Sequence, residues 1–345
     1  MNDQPTAQSA SVSGAQPEAA AADGAPAVAV VIPCYRVTDK VLDVIGDVPP
    51  EVARIYCVDD GCPDGSGKLI EEQCDDDRVS VLRHARNQGV GAAMVTGYRQ
   101  ALADDAQVVV KVDGDGQMDP TLINRFVAPI TAGEADYTKG NRFFSPGSLA
   151  GMPPVRLFGN AALSFLSKFS TGYWTTFDPN NGYTAIHASV LRALPLERLA
   201  KGYFFEADML FRLSTVRAVV QDIPMRSVYR DETSDLRVLR EILPFMWRHT
   251  VNFCKRIVYS YFLRDFHLAS IEWLIGPALL LFGVLFGANE WLESARSGVP
   301  ATAGQVMISA LPVIIGIQML LSAINFDIQN VPRRPIHDDL DRIVT

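Results

Sequence analysis

Thirty consecutive residues, Ser297 to Phe326, carry no charge and are rich in Leu, Ile, Val, Met and Ala. About 20 mostly apolar helical residues cross a hydrocarbon core of about 30 Å, so this run alone is long enough to span a bilayer. A second uncharged run, Trp273 to Asn289, precedes it, with Glu272 near its boundary. Together they predict two transmembrane helices within residues 267–327. Two buried helices of a soluble core are the competing reading, weakened by the length of the second run and by the segment ahead of the first.

That segment, RVLREILPFMWRHTVNFCKRIVYSYFLRDF from Arg237 to Phe266, repeats apolar residues at helical spacing: Leu239, Leu243 and Met246, then Phe253, Ile257 and Tyr261. Arg237, Arg240, Arg248, Lys255, Arg256 and Arg264 add positive charge. Residues 236–266 therefore read as an amphipathic juxtamembrane helix on an anionic membrane surface, bent at Pro244. With Arg333 and Arg334 following the second helix, the positive-inside rule puts the soluble domain, both termini and a tail of residues 328–345 in the cytoplasm. The chain is expected in the cell (inner) membrane, with the Glu-containing loop between its helices facing outward.

Residues 1–26 are Ala, Ser, Gln and Pro with almost no large apolar group, and are expected to be disordered. They lack the basic start and apolar stretch of a signal peptide. A formal net charge of −8 argues against a nucleic-acid partner. The five cysteines, Cys34, Cys57, Cys62, Cys74 and Cys254, are odd in number and lack CxxC or Cys/His ligand spacing. They read as reduced thiols, each a small buried hydrophobe.

Between Ala27 and residue 235, β runs (AVAVVIP, ARIYCVDD, VSVLRH, QVVVKVDGDG) alternate with amphipathic stretches such as Asp39 to Val48 and Gly89 to Ala103. That alternation predicts an α/β domain with a mostly parallel sheet and helices on both faces. The run VVVKVDGDGQMDP then carries acids straight off the end of a buried strand. Asp113, Asp115 and Asp119 match positions 1, 3 and 7 of a calcium loop, but Met118 and Asn124 stand where an EF-hand needs Gly and Glu. Strand-end carboxylates in such a sheet sit where the architecture binds ligands, which points to a metal and a phosphorylated ligand. In VDDGCPDGSG two more carboxylates precede a Gly-rich turn that opens a helix, matching neither the Walker nor the GxGxxG pattern. A nucleotide there would meet carboxylates at its base or ribose. A capped helix start is the plainer alternative.

VVIPCYR, VDDGCPDGSG, RHARNQGVGAAMVTGY and VDGDGQMDP follow one another in the order and spacing of family 2 GT-A glycosyltransferases. With its two C-terminal helices, the chain resembles the polyisoprenyl-phosphate glycosyltransferases of the dolichyl-phosphate mannose synthase type, over roughly Ala27 to Leu236. The resemblance implies a Rossmann-like GT-A domain. It makes Asp113 and Asp115 the DxD pair, which with Gln117 would hold Mg²⁺ or Mn²⁺, and puts Pro33, Tyr35, Asp60 and Asn87 at the donor nucleotide. Arg142 and Arg156, with Asn160 one helical turn on, would clamp the acceptor phosphate, and Lys139 is a weaker candidate. Asp178 and Glu206 would lie near the reaction centre with Asp115, and Asp208 is secondary. Asp178 and Glu206 could equally cap a helix or pair with an arginine. Two departures stand out: PCYRVTDK lacks the acidic residue that usually follows the PxYN start, and Asp235 replaces a family Lys.

The implied reaction is inverting transfer from a nucleotide sugar to undecaprenyl or dolichyl phosphate at the bilayer, with a homo-oligomer compatible. Transfer to a sugar hydroxyl of a lipid-linked glycan, with Asp178 or Glu206 as base, is one alternative. An inactive membrane-anchored scaffold is the other.

Overall fold

The computed structural model describes residues 27–144, 154–225 and 238–344, with side chains except at 154–158, 238–242 and 343–344. Residues 1–26, Asp235 and the Arg156 side chain lie outside the described residues.

Seven strands form one sheet: Val28–Cys34 (β1), Arg54–Asp59 (β2), Val79–Arg83 (β3), Val108–Lys111 (β4), Tyr137–Asn141 (β5), Thr184–His187 (β6) and Val220–Pro224 (β7). Their order is β3-β2-β1-β4-β6-β5-β7, and β6 alone among them runs antiparallel to its neighbours. The continuous apolar β1 sequence is what burial on both faces demands. Its alternate residues part accordingly. Val28, Val30 and Ile32 pack with Val41 and Ile45 of α1 (Val41–Gly46) and Phe126 and Ile130 of α4 (Ile123–Thr131). Ala29 and Val31 face the other layer with Tyr98 of α3 (Val90–Ala103) and Leu210 of α7. The remaining helices of this domain are α2 (Ser66–Gln73), α5 (Pro154–Thr171), α6 (Ala188–Ala193) and α7 (Phe205–Val216). Because β1 pairs with β2 on one side and β4 on the other, strand order reverses there, and the crevice beyond the carboxyl ends of these strands is where such a sheet takes ligands.

Beyond the sheet come α8 (Val238–Val258), a π-helical turn (Tyr259–Arg264), α9 (Leu268–Ser297), α10 (Ala303–Gln329) and α11 (His337–Val344). At 1.5 Å per residue α9 and α10 are about 45 and 40 Å long, enough to cross a bilayer by length, and both are apolar enough to do so. Their hairpin is closed by small residues. A Cβ on Gly316 would lie 2.8 Å from the Gly276 carbonyl oxygen, and one on Gly283 would lie 2.7 Å from that of Ser309. Backbones in apolar surroundings gain dispersion contact by such close approach.

In the juxtamembrane segment Pro244 lies inside a continuous helix, and the chain departs from α-geometry at Tyr259. The amphipathic face is also divided: Phe245 and the buried His249, Asn252 and Arg256 recur at i, i+4, i+7 and i+11 and meet the α/β domain, whereas Leu243 is 75% exposed and Met246 and Trp247 are exposed too. Phe245 and His249 stack edge-on against Phe204. Arg256 is therefore turned inward rather than to the surface of the protein. Its Nη1 and Nη2 donate to Asp327 of α10 at 2.7 and 2.9 Å, and to the Phe169 carbonyl from Nη2 at 2.7 Å. The cysteine expectation holds for Cys34 and Cys57, while Cys62 and Cys74 are half-buried and Cys254 is exposed on α8; all five are free thiols.

The segment expected as a tail folds back on the α/β domain. Buried Asp136 accepts from the backbone N–H groups of Val219, Ile336 and His337 at 2.7 to 3.0 Å and pairs with His337 Nδ1 at 2.7 Å. Val331, Ile336 and Leu340 pack against the core, and α11 (His337–Val344) lies beside α6.

Asp327→Ala should cost about 3–5 kcal/mol, because it strands a buried guanidinium, and Arg256→Met with Asp327→Leu should recover much of that. Thermal unfolding of the full chain in detergent measures both. Burial also pushes the His249 imidazole down to about 4. Between its ordinary value near 6.5 and that level the unfolded chain binds a proton that the folded chain refuses, so stability falls as pH is lowered through this window. The melting temperature should drop from about pH 7 to about pH 5, and His249→Phe should shrink the drop.

Candidate active site

A cavity of about 660 Å³ opens at the carboxyl ends of β1, β2 and β4. Pro33, Tyr35, Asp60, Asn87, Asp113, Asp115 and Glu206 all line it, so the donor-side residues and two of the three carboxylates expected at the reaction centre share one space. Asp178, Arg142, Asn160 and Gln117 are not among its walls.

The floor is built by a residue the sequence reading passed over. Lys111, the last residue of β4, is 1% exposed, and its Nζ lies 2.7 Å from Asp113 Oδ1 and 3.2 Å from Glu206 Oε1. Glu206 reaches it from the first turn of α7. Burial would lower the Lys111 pKa, but the two carboxylates outweigh it and hold the ammonium charged well above its ordinary range. For Glu206 burial is the larger effect and raises the carboxyl, Lys111 opposes it and Asp113 adds to it. Gly182 makes room for the cluster: a Cβ there would sit 2.5 Å from Lys111 Nζ and 2.6 Å from Asp113 Oδ2. The signal was present in VVVKV, since a lysine inside a buried strand must find counter-charge.

The paired aspartates of VDDG divide their work. Asp59 accepts from Cys62 N at 2.7 Å and Gly67 N at 3.0 Å, holding the turn into α2. Asp60 accepts from Gln88 N at 2.9 Å and Gly89 N at 2.7 Å and pairs with His84 Nδ1 at 2.7 Å. Asp60 thus fixes the loop that presents Asn87 while itself lining the cavity. Gly61, at φ 64°, permits the crossing, for a Cβ there would lie 2.6 Å from the Arg86 backbone. Arg36 at the cavity wall also has a left-handed backbone and lies 5.5 Å over the Tyr35 ring.

The third acid of the strand-end run does something else. Asp119 Oδ1 accepts from Thr121 N at 3.0 Å and caps the short helix after it. Asp115 and Gln117 are exposed, and Gln117 N donates to Asp115 Oδ1 at 3.0 Å. Among the described residues no group of three His, Cys, Asp or Glu side chains could hold a metal ion. Asp113 and Asp115 on one wall supply carboxylate oxygens, the donor type that suits a hard divalent ion completing its shell with ligand oxygens. Asn180 is also on the cavity wall, and its buried Oδ1 has no hydrogen-bond partner among the described residues.

Asp178 pairs with an arginine, as one of its two readings allowed. Arg142 Nε and Nη2 each donate to it at 2.7 Å, and Asn181 Nδ2 donates at 3.1 Å. Burial alone would raise this carboxyl, but the guanidinium keeps it below the ordinary range. Lys139 is buried, bonding the Phe177 and Gly140 carbonyls and Asp222. Asp208 points away from the cavity, accepting from Ala200 N and Arg212 Nε. Asn160 is half-buried on α5.

Residues 29–194 match the profile of glycosyl transferase family 2. The polyprenol monophosphomannose synthase of Mycolicibacterium smegmatis is 32% identical over 208 residues, covering 59% of this chain and 77% of that protein. The undecaprenyl-phosphate mannosyltransferase of Micrococcus luteus is 30% identical over 59% of this chain and 84% of its own length. A UDP-N-acetylglucosamine–dolichyl-phosphate N-acetylglucosaminyltransferase of Methanococcus voltae is 27% identical over the same share of this chain and 86% of its own. Among solved structures, a complex of glucosyl-3-phosphoglycerate synthase from Mycobacterium tuberculosis aligns with a TM-score of 0.49 and 17% identity over 67% of this chain and 78% of that one, a likeness too loose to bear on any residue.

Lys111→Met should destabilise the chain by about 3 kcal/mol or more, because two carboxylates lose their shared counter-charge. Adding Glu206→Gln should restore part of the loss. Denaturant titration of the three proteins decides it, and a neutral Lys111→Met would mean the cluster contributes no net stability.

Proposed function

Because this chain belongs to glycosyl transferase family 2, we propose that it transfers a sugar with inversion from a nucleotide donor to a polyisoprenyl phosphate at the cytoplasmic face of a membrane. The observation that carries this reading is the shared cavity: Asp113 and Asp115 open into the space lined by Pro33, Tyr35, Asp60 and Asn87. Three relatives named for polyprenyl- or dolichyl-phosphate transfer support the acceptor class.

In this reading Asp60 and Asn87 meet the nucleoside, and Asn180 Oδ1 accepts a donor hydroxyl. Mg²⁺ or Mn²⁺ held by Asp113 and Asp115, with Gln117 as a further ligand, would neutralise the diphosphate and ease its departure. Lys111 fixes the Asp113 rotamer by its 2.7 Å contact. Arg142 and Arg156 hold the acceptor phosphate, and Asp178 keeps the Arg142 fork oriented for it. The phosphate oxygen then bonds to the anomeric carbon as the bond from that carbon to the diphosphate breaks. An acceptor already anionic needs position and counter-charge more than a base.

Glu206 favours a second reading, transfer to a sugar hydroxyl, since it lines the cavity and its carboxyl is raised toward the range of a general base. Asp178, locked to Arg142, is the weaker base.

α9 and α10 would span the bilayer as a hairpin with both ends on the side of the α/β domain. Support comes from the Arg256–Asp327 pair at one base of the hairpin and the Asp136–His337 contact that brings residues 336 and 337 back to the sheet edge.

Chelation of divalent ions, or Asp115→Asn, should lower transfer by about a hundredfold or more, given several kcal/mol of charge stabilisation. Arg142→Ala and Arg156→Ala should each weaken use of the lipid phosphate roughly ten- to a hundredfold while donor affinity holds, the worth of one charge-assisted hydrogen bond. Initial rates against lipid phosphate, with calorimetry of nucleotide-sugar binding, test this. Normal acceptor kinetics in both variants would transfer the case to the hydroxyl acceptor and Glu206.

A further inference from the structure

The far end of α7 carries a second cavity that the transfer reaction does not use. Glu206 at the start of this helix lines the donor cavity, and Arg217 caps its other end about 16 Å away, in a left-handed conformation at φ 61°. Beyond Arg217 lies a cavity of about 620 Å³, formed with the chain that leaves α10, including Asn330, Arg333 and Arg334. A smaller cavity adjoins it, sharing Arg217, Asn330 and Pro332 and adding Arg264 of the π-helical turn.

The charge here is not balanced by protein. Arg217 donates to Asn330 Oδ1 at 3.3 Å and to the Asn330 carbonyl at 3.4 Å, both neutral acceptors. Arg334 is 83% exposed side chain, and its contact with Asp339 at 3.4 Å is long and solvated. Asp327, in the smaller cavity, is taken by Arg256. Three arginines thus face one carboxylate in the larger space.

The position along the chain says what would supply the missing anion. Arg333 and Arg334 stand four and five residues after a helix of membrane-spanning length and composition. Beside Arg264, Leu263 is 73% and Phe266 is 68% exposed. Basic groups flanked by exposed apolar side chains at the foot of membrane helices occupy the headgroup level, where they attract anionic lipid.

We propose that Arg217, Arg333 and Arg334 form a binding site for the phosphate headgroup of an anionic phospholipid, separate from donor and acceptor sites. Arginine forks suit a phosphodiester. A bound headgroup would bridge the end of α7 to the segment that follows α10, joining the α/β domain to its membrane hairpin. This rests on the hairpin lying in the bilayer, part of the function proposed above.

The test uses the full chain in phosphatidylcholine vesicles with or without phosphatidylglycerol. Flotation with phosphatidylcholine alone reports insertion; failure there would overturn the membrane reading beneath the proposal. Native mass spectrometry then counts phosphatidylglycerol retained by wild type, by Arg333→Gln with Arg334→Gln, by Arg217→Gln, and by the charge-matched Arg125→Gln on α4. The double variant, altered only at exposed side chains, should retain roughly tenfold less lipid or lower still, Arg217→Gln should also lose it, and Arg125→Gln should match wild type. Equal retention in the double variant, or no preference of wild type for phosphatidylglycerol over phosphatidylcholine, would overturn the site. So would inorganic phosphate that raised the melting temperature in detergent as much as the lipid does.

Discussion

The arrangement of this chain depends on one buried ion pair between a juxtamembrane helix and the last turn of an apolar one. All four acceptor directions of the Asp327 carboxylate are filled: Oδ1 by Arg256 Nη1 and Tyr261 OH, Oδ2 by Arg256 Nη2 and Trp174 Nε1. Arg256 spends its remaining reach on the Phe169 carbonyl. A buried pair costs desolvation on both sides and returns it only when every partner is in place. Its consequence is geometric, because the donors to Asp327 come from the loop after α5, α8 and the π-helical turn, and α5 supplies the Phe169 carbonyl that accepts from Arg256. Only one docking of the hairpin on the α/β domain satisfies them all. The cavity beyond the strand ends is thereby held in one orientation to α9 and α10.

The same economy recurs at the sheet. Lys111 is tolerated inside it because Asp113 and Glu206 converge on its ammonium, and Gly182 leaves the space they need. A floor of fixed charge of this kind suits the divalent ion and diphosphate of the proposed reaction, because no protein group would have to move to meet them. Arg142, just after β5, and Asp178 form a comparable fixed pair.

How far the sequence could be read depended on the range of each interaction. β1, β2, β3 and β4 were legible because strand patterning is local, and so were the two long apolar helices. The residues that the family resemblance put at the donor follow strand ends, which is why they come to line one cavity. The faces of α8 were misjudged. Apolar periodicity joined Leu239, Leu243 and Met246 with Phe253, Ile257 and Tyr261 in one membrane face, but Phe253, Ile257 and Tyr261 pack inward, while Leu243 and Met246, with Trp247, point out. Periodicity identifies a stripe and is silent on which partner covers it.

The sequence by itself determined the class of sheet, the membrane-length helices and the acids at the end of β4, because each follows from spacing within a few residues of chain. Only the tertiary structure decided how charges pair: Lys111 with Glu206 across 95 residues, Arg142 with Asp178, Arg256 with Asp327, His337 with Asp136. A charged side chain is assigned its partner by burial, and burial is set by which distant elements pack together. The role of Asp60 as both cavity wall and loop anchor, and the turning of the final residues back onto the sheet, were decided in the same way, by contacts whose two halves lie far apart in the chain.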